Sequence, residues 1–268
     1  MRSLGKQNVL GVLIDALDYD AAVAQIIQAA RDQREFSVSA LAVHGVMTGV
    51  QDPTHRYRLN HLDLVTPDGQ PVRWALNLLH GTRLRERVYG PTLMLELCAA
   101  ASRENLPIYL YGSRSEVVSR LARSLESRFP GIEIAGAEPS VFRRITPEEK
   151  SAIAARVKSS GARLLFVGLG CPRQEVFAYE YRNALSIPII AVGAAFDYHS
   201  GFLREPSPWV QRVGLQWLHR LMQDPRRLWK RYVVGNTSYA CLVALQALRV
   251  TRPDPLRVAP PRSELLWG

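Results

Sequence analysis

The sequence predicts an α/β fold, a Rossmann-like and mostly parallel sheet with helices on both faces, plus a basic helical C-terminal appendage. Three observations predict it. From residue 9 to about 196, short β-branched apolar runs alternate with amphipathic stretches of helical length, the pattern of a parallel sheet covered on both sides. Several of the helical stretches carry start signals, and after Gly201 the composition turns basic and tryptophan-containing. With 268 residues, 47% hydrophobic and 22% charged, the chain can bury a sizeable core, and disordered or collagenous classes are excluded.

In chain order, the expected strands are Val9 to Ile14, Ser37 to Val43, Leu62 to Val65, Ile108 to Tyr111, Ile132 to Ala135, Leu164 to Val167 and Ile187 to Val192. Asp18 or Asp20 is placed to cap a helix over Ala21 to Arg31, and Ser115 to cap one over Glu116 to Arg128. Thr146-Pro147-Glu148-Glu149 combines an N-cap, a proline at the first helical position and a capping glutamate. The expected division is an α/β domain over residues 1–200, a helical appendage over 201–250 and an irregular Pro-rich tail over 251–268, with no internal repeat.

Thirty-four Lys and Arg against twenty-four Asp and Glu leave a formal charge of +10, which favours an anionic partner: nucleic acid, nucleotide phosphate or acidic lipid headgroup. Cys98, Cys171 and Cys241 are odd in number and far apart, with neither a CxxC pair nor a histidine at ligand spacing, so a reducing cytoplasm is expected. The run Val9 to Ile14 is cut off by Asp15 and lacks a small-residue cleavage site, so it reads as a strand and not as a signal peptide. The stretch Tyr239 to Val250 is interrupted by Gln246 and Arg249 and falls short of the roughly 20 residues needed to span a bilayer. The expectation is a protein that touches a membrane without crossing it.

Four constellations could carry chemistry. Val65-Thr66-Pro67-Asp68-Gly69 follows a strand, and in open α/β sheets functional groups collect at strand carboxyl ends. Asp68 there reads either as a general base raised by partial burial or as part of an ordinary Pro-Asp-Gly turn. Phe166-Val167-Gly168-Leu169-Gly170-Cys171-Pro172-Arg173-Gln174-Glu175 runs from a strand through a Gly-containing turn to a helix start suited to phosphate. Arg173 stands where GxGxxG would place its third glycine, which argues against a dehydrogenase fingerprint. Gln174 reads as a sugar or base ligand, or as a helix-surface amide. Gly193-Ala194-Ala195-Phe196-Asp197-Tyr198-His199 places Asp197 and His199 at another strand end, without a third metal ligand at useful spacing. Asp18-Tyr19-Asp20 reads as a cap in preference to a DxD metal motif.

The fourth is the basic segment. Residues 204–232 hold Arg204, Arg212, Arg220, Arg226, Arg227, Lys230 and Arg231 against Glu205 and Asp224, interleaved with Trp209, Trp217, Trp229 and Tyr232. This reads as a helix at a headgroup interface, or as a solvated basic helix packing its tryptophans on the core. A single helix would present Arg220, Arg227 and Arg231 on one face, suited to a diphosphate; Pro225 either kinks that helix or starts a new one.

These elements, in this order, resemble the WecG/TagA/CpsF family of bacterial glycosyltransferases over roughly residues 9–245. The resemblance rests on Pro67-Asp68-Gly69, Arg87-Val88-Tyr89-Gly90, the segment Val167 to Glu175, Gly193 to Asp197, Gly214 to Leu221 and Pro225 to Tyr232. It implies an inverting, metal-independent hexosyl- or N-acetylhexosaminyltransferase with no cofactor. Its donor would be a nucleotide diphosphate sugar, UDP-linked and of N-acetylmannosamine or related type. Its acceptor would be a polyprenyl-diphosphate-linked sugar at the cytoplasmic face of the membrane, where the protein would sit peripherally. Asp68 resembles the family's general base and Arg87 an active-site arginine. Gln174 and Asp197, with Gly168 and Gly170 of the turn, resemble the donor pocket, and Arg220, Arg227, Lys230 and Arg231 the cations that meet lipid diphosphate and membrane.

Where many relatives have a Thr-x-Asn turn this chain has Ala42-Val43-His44, so His44 is the candidate replacement as a donor to phosphate. Thr92, Glu205 and Gln216 are further departures. The resemblance implies an anionic membrane surface as a partner and leaves a homo-oligomer open. A nucleotide-sugar-binding membrane scaffold with little catalysis is the alternative. A nucleic-acid binder has only net charge in its favour, without a reading motif.

Overall fold

The computed structural model describes residues 2–268, without the side chains of Pro208 and Arg227. The chain opens with an antiparallel hairpin of β1 (Ser3–Val9) and β2 (Val12–Leu17). Helix and strand then alternate through α1 (Tyr19–Arg31), β3 (Phe36–Leu41), α2 (Val43–Gln51), α3 (Pro53–Asn60), β4 (Leu64–Pro67), α4 (Gln70–His80), α5 (Gly90–Glu104) and β5 (Ile108–Gly112). They continue through α6 (Ser115–Arg128), β6 (Ile134–Glu138), α7 (Pro147–Ser159), β7 (Leu164–Gly168), α8 (Arg173–Tyr181), β8 (Pro188–Ala191) and α9 (Ala195–His199). Strands β3 to β8 form one parallel sheet in the order β4-β3-β8-β7-β5-β6. The expected fold class is therefore the observed one.

Alternation along each strand feeds two cores, one on each face of the sheet. On β7, Leu165 and Val167 join the core shared with α2, α4, α7 and α8, whereas Leu164 and Phe166 join the core shared with α1, α5, α6 and α9. Asp18 caps α1, accepting the Ala21 N–H at 2.9 Å, and Thr146 with Glu149 closes a reciprocal capping box on α7.

Two local expectations are corrected. The run Val9 to Ile14 is not one strand: Leu10 and Gly11 adopt left-handed φ of 57° and 88°, and Asn8 Oδ1 accepts the Gly11 N–H at 2.7 Å. The chain reverses there into a tight hairpin turn. Apolar residues continue on both sides of the turn, and a left-handed leucine leaves no signal in sequence. Ser115 does not cap α6; Arg114 holds the cap position and makes no side-chain cap hydrogen bond.

Beyond Gly201 the helical path is broken into α10 (Pro208–Arg212), α11 (Gln216–Gln223), α12 (Pro225–Trp229), a π-helical turn over Lys230–Val234, and α13 (Gly235–Ala247). Pro225 starts a new helix, as its fixed φ and missing N–H favour. Helix α13 returns to the body and buries Tyr239 and Val243, one turn apart, in the first core. The residues after it are irregular yet anchored. The Glu180 carboxylate accepts the N–H groups of Leu265 and Leu266 at 2.7 and 3.0 Å, and Arg173 and Arg144 lie over the Trp267 ring.

Candidate active site

A cleft of about 750 Å³ opens at the carboxyl ends of the strands. Helices α2, α4, α5, α6 and α8 all begin at it, and none has a side-chain cap. Helices α1, α3 and α7 begin elsewhere and are capped by Asp18, Asp52 and Thr146. The first-turn amides of a helix have no intrahelical partner, so these starts turn positive dipole ends toward the cleft, the Gly90 N–H of α5 being taken by Asp68. On α2, Ala42 occupies the cap position without a hydroxyl, and Ala42 to Gly45 line the cleft.

Strand β4 delivers Asp68 to this space. Its strand ends at Pro67, paired with Leu41, and the Asp68 N–H donates to the Leu41 carbonyl at 3.2 Å. The half-buried carboxylate accepts the Gly90 N–H at 2.9 Å, at the start of α5. Burial raises its pKa above the ordinary carboxylate value, opposed by Arg87, the Gly90 N–H, Arg220 and Arg231.

Arg87 is buried with its guanidinium 4.2 Å from the Tyr89 ring centroid. It donates to Gln211 Oε1 at 3.3 Å and to Gln216 Oε1, tying the body to α10 and α11. Arg220 and Arg231 both line the cleft, and the Arg220 guanidinium sits 5.7 Å from the Tyr198 ring centroid. Gln216 Nε2 and Arg231 Nε are buried without a hydrogen-bond partner among the described residues, so both are donors available to an anion.

On the opposite wall, Gly168 lies so close to Phe196 that a Cβ there would fall 2.6 Å from the ring. The Gly170 N–H is turned inward, donating to Gln174 Oε1 at 3.1 Å, so this amide is already engaged. Gln174 Nε2 donates to Glu175 Oε1 at 2.9 Å, and Ser39 Oγ donates to the same oxygen at 3.1 Å. Glu175 thereby fixes which way the Gln174 amide points, and Gln174 is a buried cleft residue and not a surface amide. Burial raises the Glu175 pKa. Glu175 and Ser39 were not singled out from sequence. The available signal was a carboxylate directly before the apolar run Val176-Phe177-Ala178, where an unpartnered charge is costly.

The other candidates divide. His44 lines the cleft, and burial first, then Arg231 and His55, push its pKa down to about 4, so it is a neutral imidazole at physiological pH and not a cation. Asp197 lines the cleft from the first turn of α9. His199 Nε2 donates instead to the Pro91 carbonyl at 2.8 Å. Lys230 is exposed and does not line the cleft, and the Arg227 side chain lies outside the described residues. Among the described residues, no three His, Cys, Asp or Glu side chains gather as a metal-ligand set, and no helix is long and apolar enough to cross a membrane.

The fold and cleft define a Rossmann-like α/β protein with an anion-receptive site where the strands end. Residues 7–253 match the family described as "Glycosyl transferase WecG/TagA/CpsF family". The chain belongs to that family, and it is a glycosyltransferase. It is 30% identical over 186 residues, 69% of this chain and 70% of the relative, to the N-acetylglucosaminyldiphosphoundecaprenol N-acetyl-beta-D-mannosaminyltransferase of Bacillus subtilis (strain 168). It is 29% identical over 183 residues, 68% of each chain, to the enzyme of the same name from Bacillus spizizenii.

Proposed function

We propose that the protein transfers a sugar, with inversion and without a metal, from a UDP-linked donor of the N-acetylmannosamine or related hexose type to a polyprenyl-diphosphate-linked sugar in surface-polysaccharide assembly. The relatives' names support the two sugar classes and the lipid. The observation that carries the mechanism is the meeting of Asp68, Arg87, Arg220, Arg231 and the Gly168-Leu169-Gly170 turn around one cleft. In this reading the acceptor hydroxyl attacks the anomeric carbon while Asp68 takes its proton. The bond from that carbon to the nucleotide diphosphate breaks, and the diphosphate leaves with the electron pair. The α2 amides and neutral His44 meet the donor phosphates, beside Gln174 and Asp197. Arg220 and Arg231 meet the acceptor diphosphate, and charge develops against fixed donors in place of water.

The exposed Trp209, Met222 and Trp229, among Arg212, Arg226 and Lys230, support peripheral contact of the basic segment with an anionic bilayer on the cytoplasmic side. Asp68→Asn tests the mechanism. General-base catalysis contributes about 10²- to 10⁴-fold, so kcat with donor and lipid-linked acceptor should fall by that factor while the melting temperature does not fall. Near-normal turnover would remove Asp68 from the role.

A further inference from the structure

The outer face of α4 is an apolar surface on the body, outside the basic segment. Trp74 and Leu78 lie four residues apart, on one helix face, and are 46% and 65% exposed. The adjacent face is occupied. Arg73 Nη1 donates to the carbonyls of Leu84 and Arg85 at 2.8 and 3.0 Å, and Asn77 Nδ2 to Leu84 at 3.0 Å. These bonds fold residues 81–86 back along the helix, leaving Arg83, Arg85 and the acidic Glu86 exposed.

Trp74 also reaches the C-terminal segment. A Cβ built on Gly214 would lie 2.8 Å from Trp74 Cη2, and Gly214 has a left-handed φ of 79°, so the turn between α10 and α11 rests directly on the indole. Val213 and Leu215 flank that glycine and are exposed, as is Arg212. The apolar strip therefore continues from Leu78 through Trp74 into the basic segment, while Gln70 and Pro71, one turn earlier on α4, line the cleft.

We propose that this face of α4 and its arginine-bearing loop form a second bilayer contact, carried by the body, which holds the cleft mouth against an anionic lipid surface. The inference rests on the membrane reading of the basic segment and adds a contact outside it. An indole and a leucine at the acyl boundary, with guanidiniums at phosphate level, suit an interface. A second copy of the chain fits less well: a self-interface would set these arginines against like charge on a molecule of formal charge +10. One contact sets depth, whereas two set the tilt of the cleft toward a membrane-held acceptor.

The experiment uses the full chain with vesicles of phosphatidylcholine, with and without phosphatidylglycerol. Trp74→Ser/Leu78→Ser should lower vesicle affinity by about tenfold. Arg83→Gln/Arg85→Gln should lower it by about 25-fold, since each juxtamembrane cation is worth about fivefold, on anionic vesicles only and less at high salt. Leu78→Ser alone and the arginine pair should leave the melting temperature and the rate on a short-chain, water-soluble diphosphate-linked acceptor unchanged. Unaltered vesicle affinity in both the Trp74/Leu78 and the Arg83/Arg85 variants, alongside loss in Trp209→Ser, overturns this contact and leaves the membrane reading standing. Failure of the unmodified chain to bind anionic vesicles overturns both. Dissolution of an oligomer by the α4 substitutions, with vesicle affinity unchanged, makes the face a self-interface and also overturns the proposal.

Discussion

The body and the segment from α10 to the π-helical turn use their large apolar residues in opposite ways. In the body, Phe166, Phe177, Phe196 and Tyr181 are fully buried in the two cores flanking the sheet. In the segment, α11 buries none of its residues, and Trp209 and Met222 are 62% and 68% exposed. The segment is docked by polar contacts, from Arg87 to Gln211 and Gln216 and from Arg220 to the Tyr198 ring, together with a few apolar ones, the buried Leu228 and the Gly214 turn on the Trp74 indole. Net hydrogen-bond contributions of about 0.5–1.5 kcal/mol each are small beside the burial that holds the body. The difference teaches that apolar residues in one region make the fold, while in the other they remain available to a surface.

Three tests sharpen or break that contrast, beginning with the largest effect. Phe166→Ala should cost about 3–5 kcal/mol in urea unfolding, whereas Met222→Ala should stay within about 0.5 kcal/mol; comparable losses would mean that the segment belongs to the core. Next, Arg220→Gln or Arg231→Gln should raise KM for the lipid-linked acceptor about 10- to 100-fold, the worth of a charged hydrogen bond of about 1.5–3 kcal/mol. Donor KM should hold steady, and a rise confined to the donor would reassign these cations.

The smallest effect is a pH-dependent stability gain. Burial raises the folded-state pKa of Asp68, so the folded chain holds that proton more tightly than the unfolded chain. Its ionisation therefore destabilises the fold progressively as pH rises through the window between the two pKa values. Asp68→Asn should raise the melting temperature above that window and lose the gain below the ordinary carboxylate pKa. A gain equal at all pH values would show that desolvation of the carboxylate is not its cause.

Much of the fold was legible in the sequence. Alternating apolar runs located the six parallel strands to within a few residues, and Thr146 and Asp18 were readable as caps because side chain and helix start are neighbours in the chain. The hairpin turn at Leu10-Gly11 was not readable, because a left-handed leucine is imposed by pairing between β1 and β2. At the site, Asp68, Gln174 and Asp197 stand at strand ends, which is a local fact. Engagement of the Gly170 N–H by Gln174, and the hold of Glu175 and Ser39 on that amide, required strands and helix to be brought together. Ser39 and Glu175 are 136 positions apart.

By itself the sequence determined the architecture and the strand ends where chemistry would gather, because period-two and helical patterns and turn residues act over a few neighbours. Only the tertiary structure decided that Arg220 and Arg231 line the cleft while Lys230 does not. It alone decided that Arg87 meets Gln216, 129 positions away, and that Trp74 lies under Gly214. Those outcomes depend on where a broken helical path crosses the body, and the sum of its packing and polar contacts sets that course.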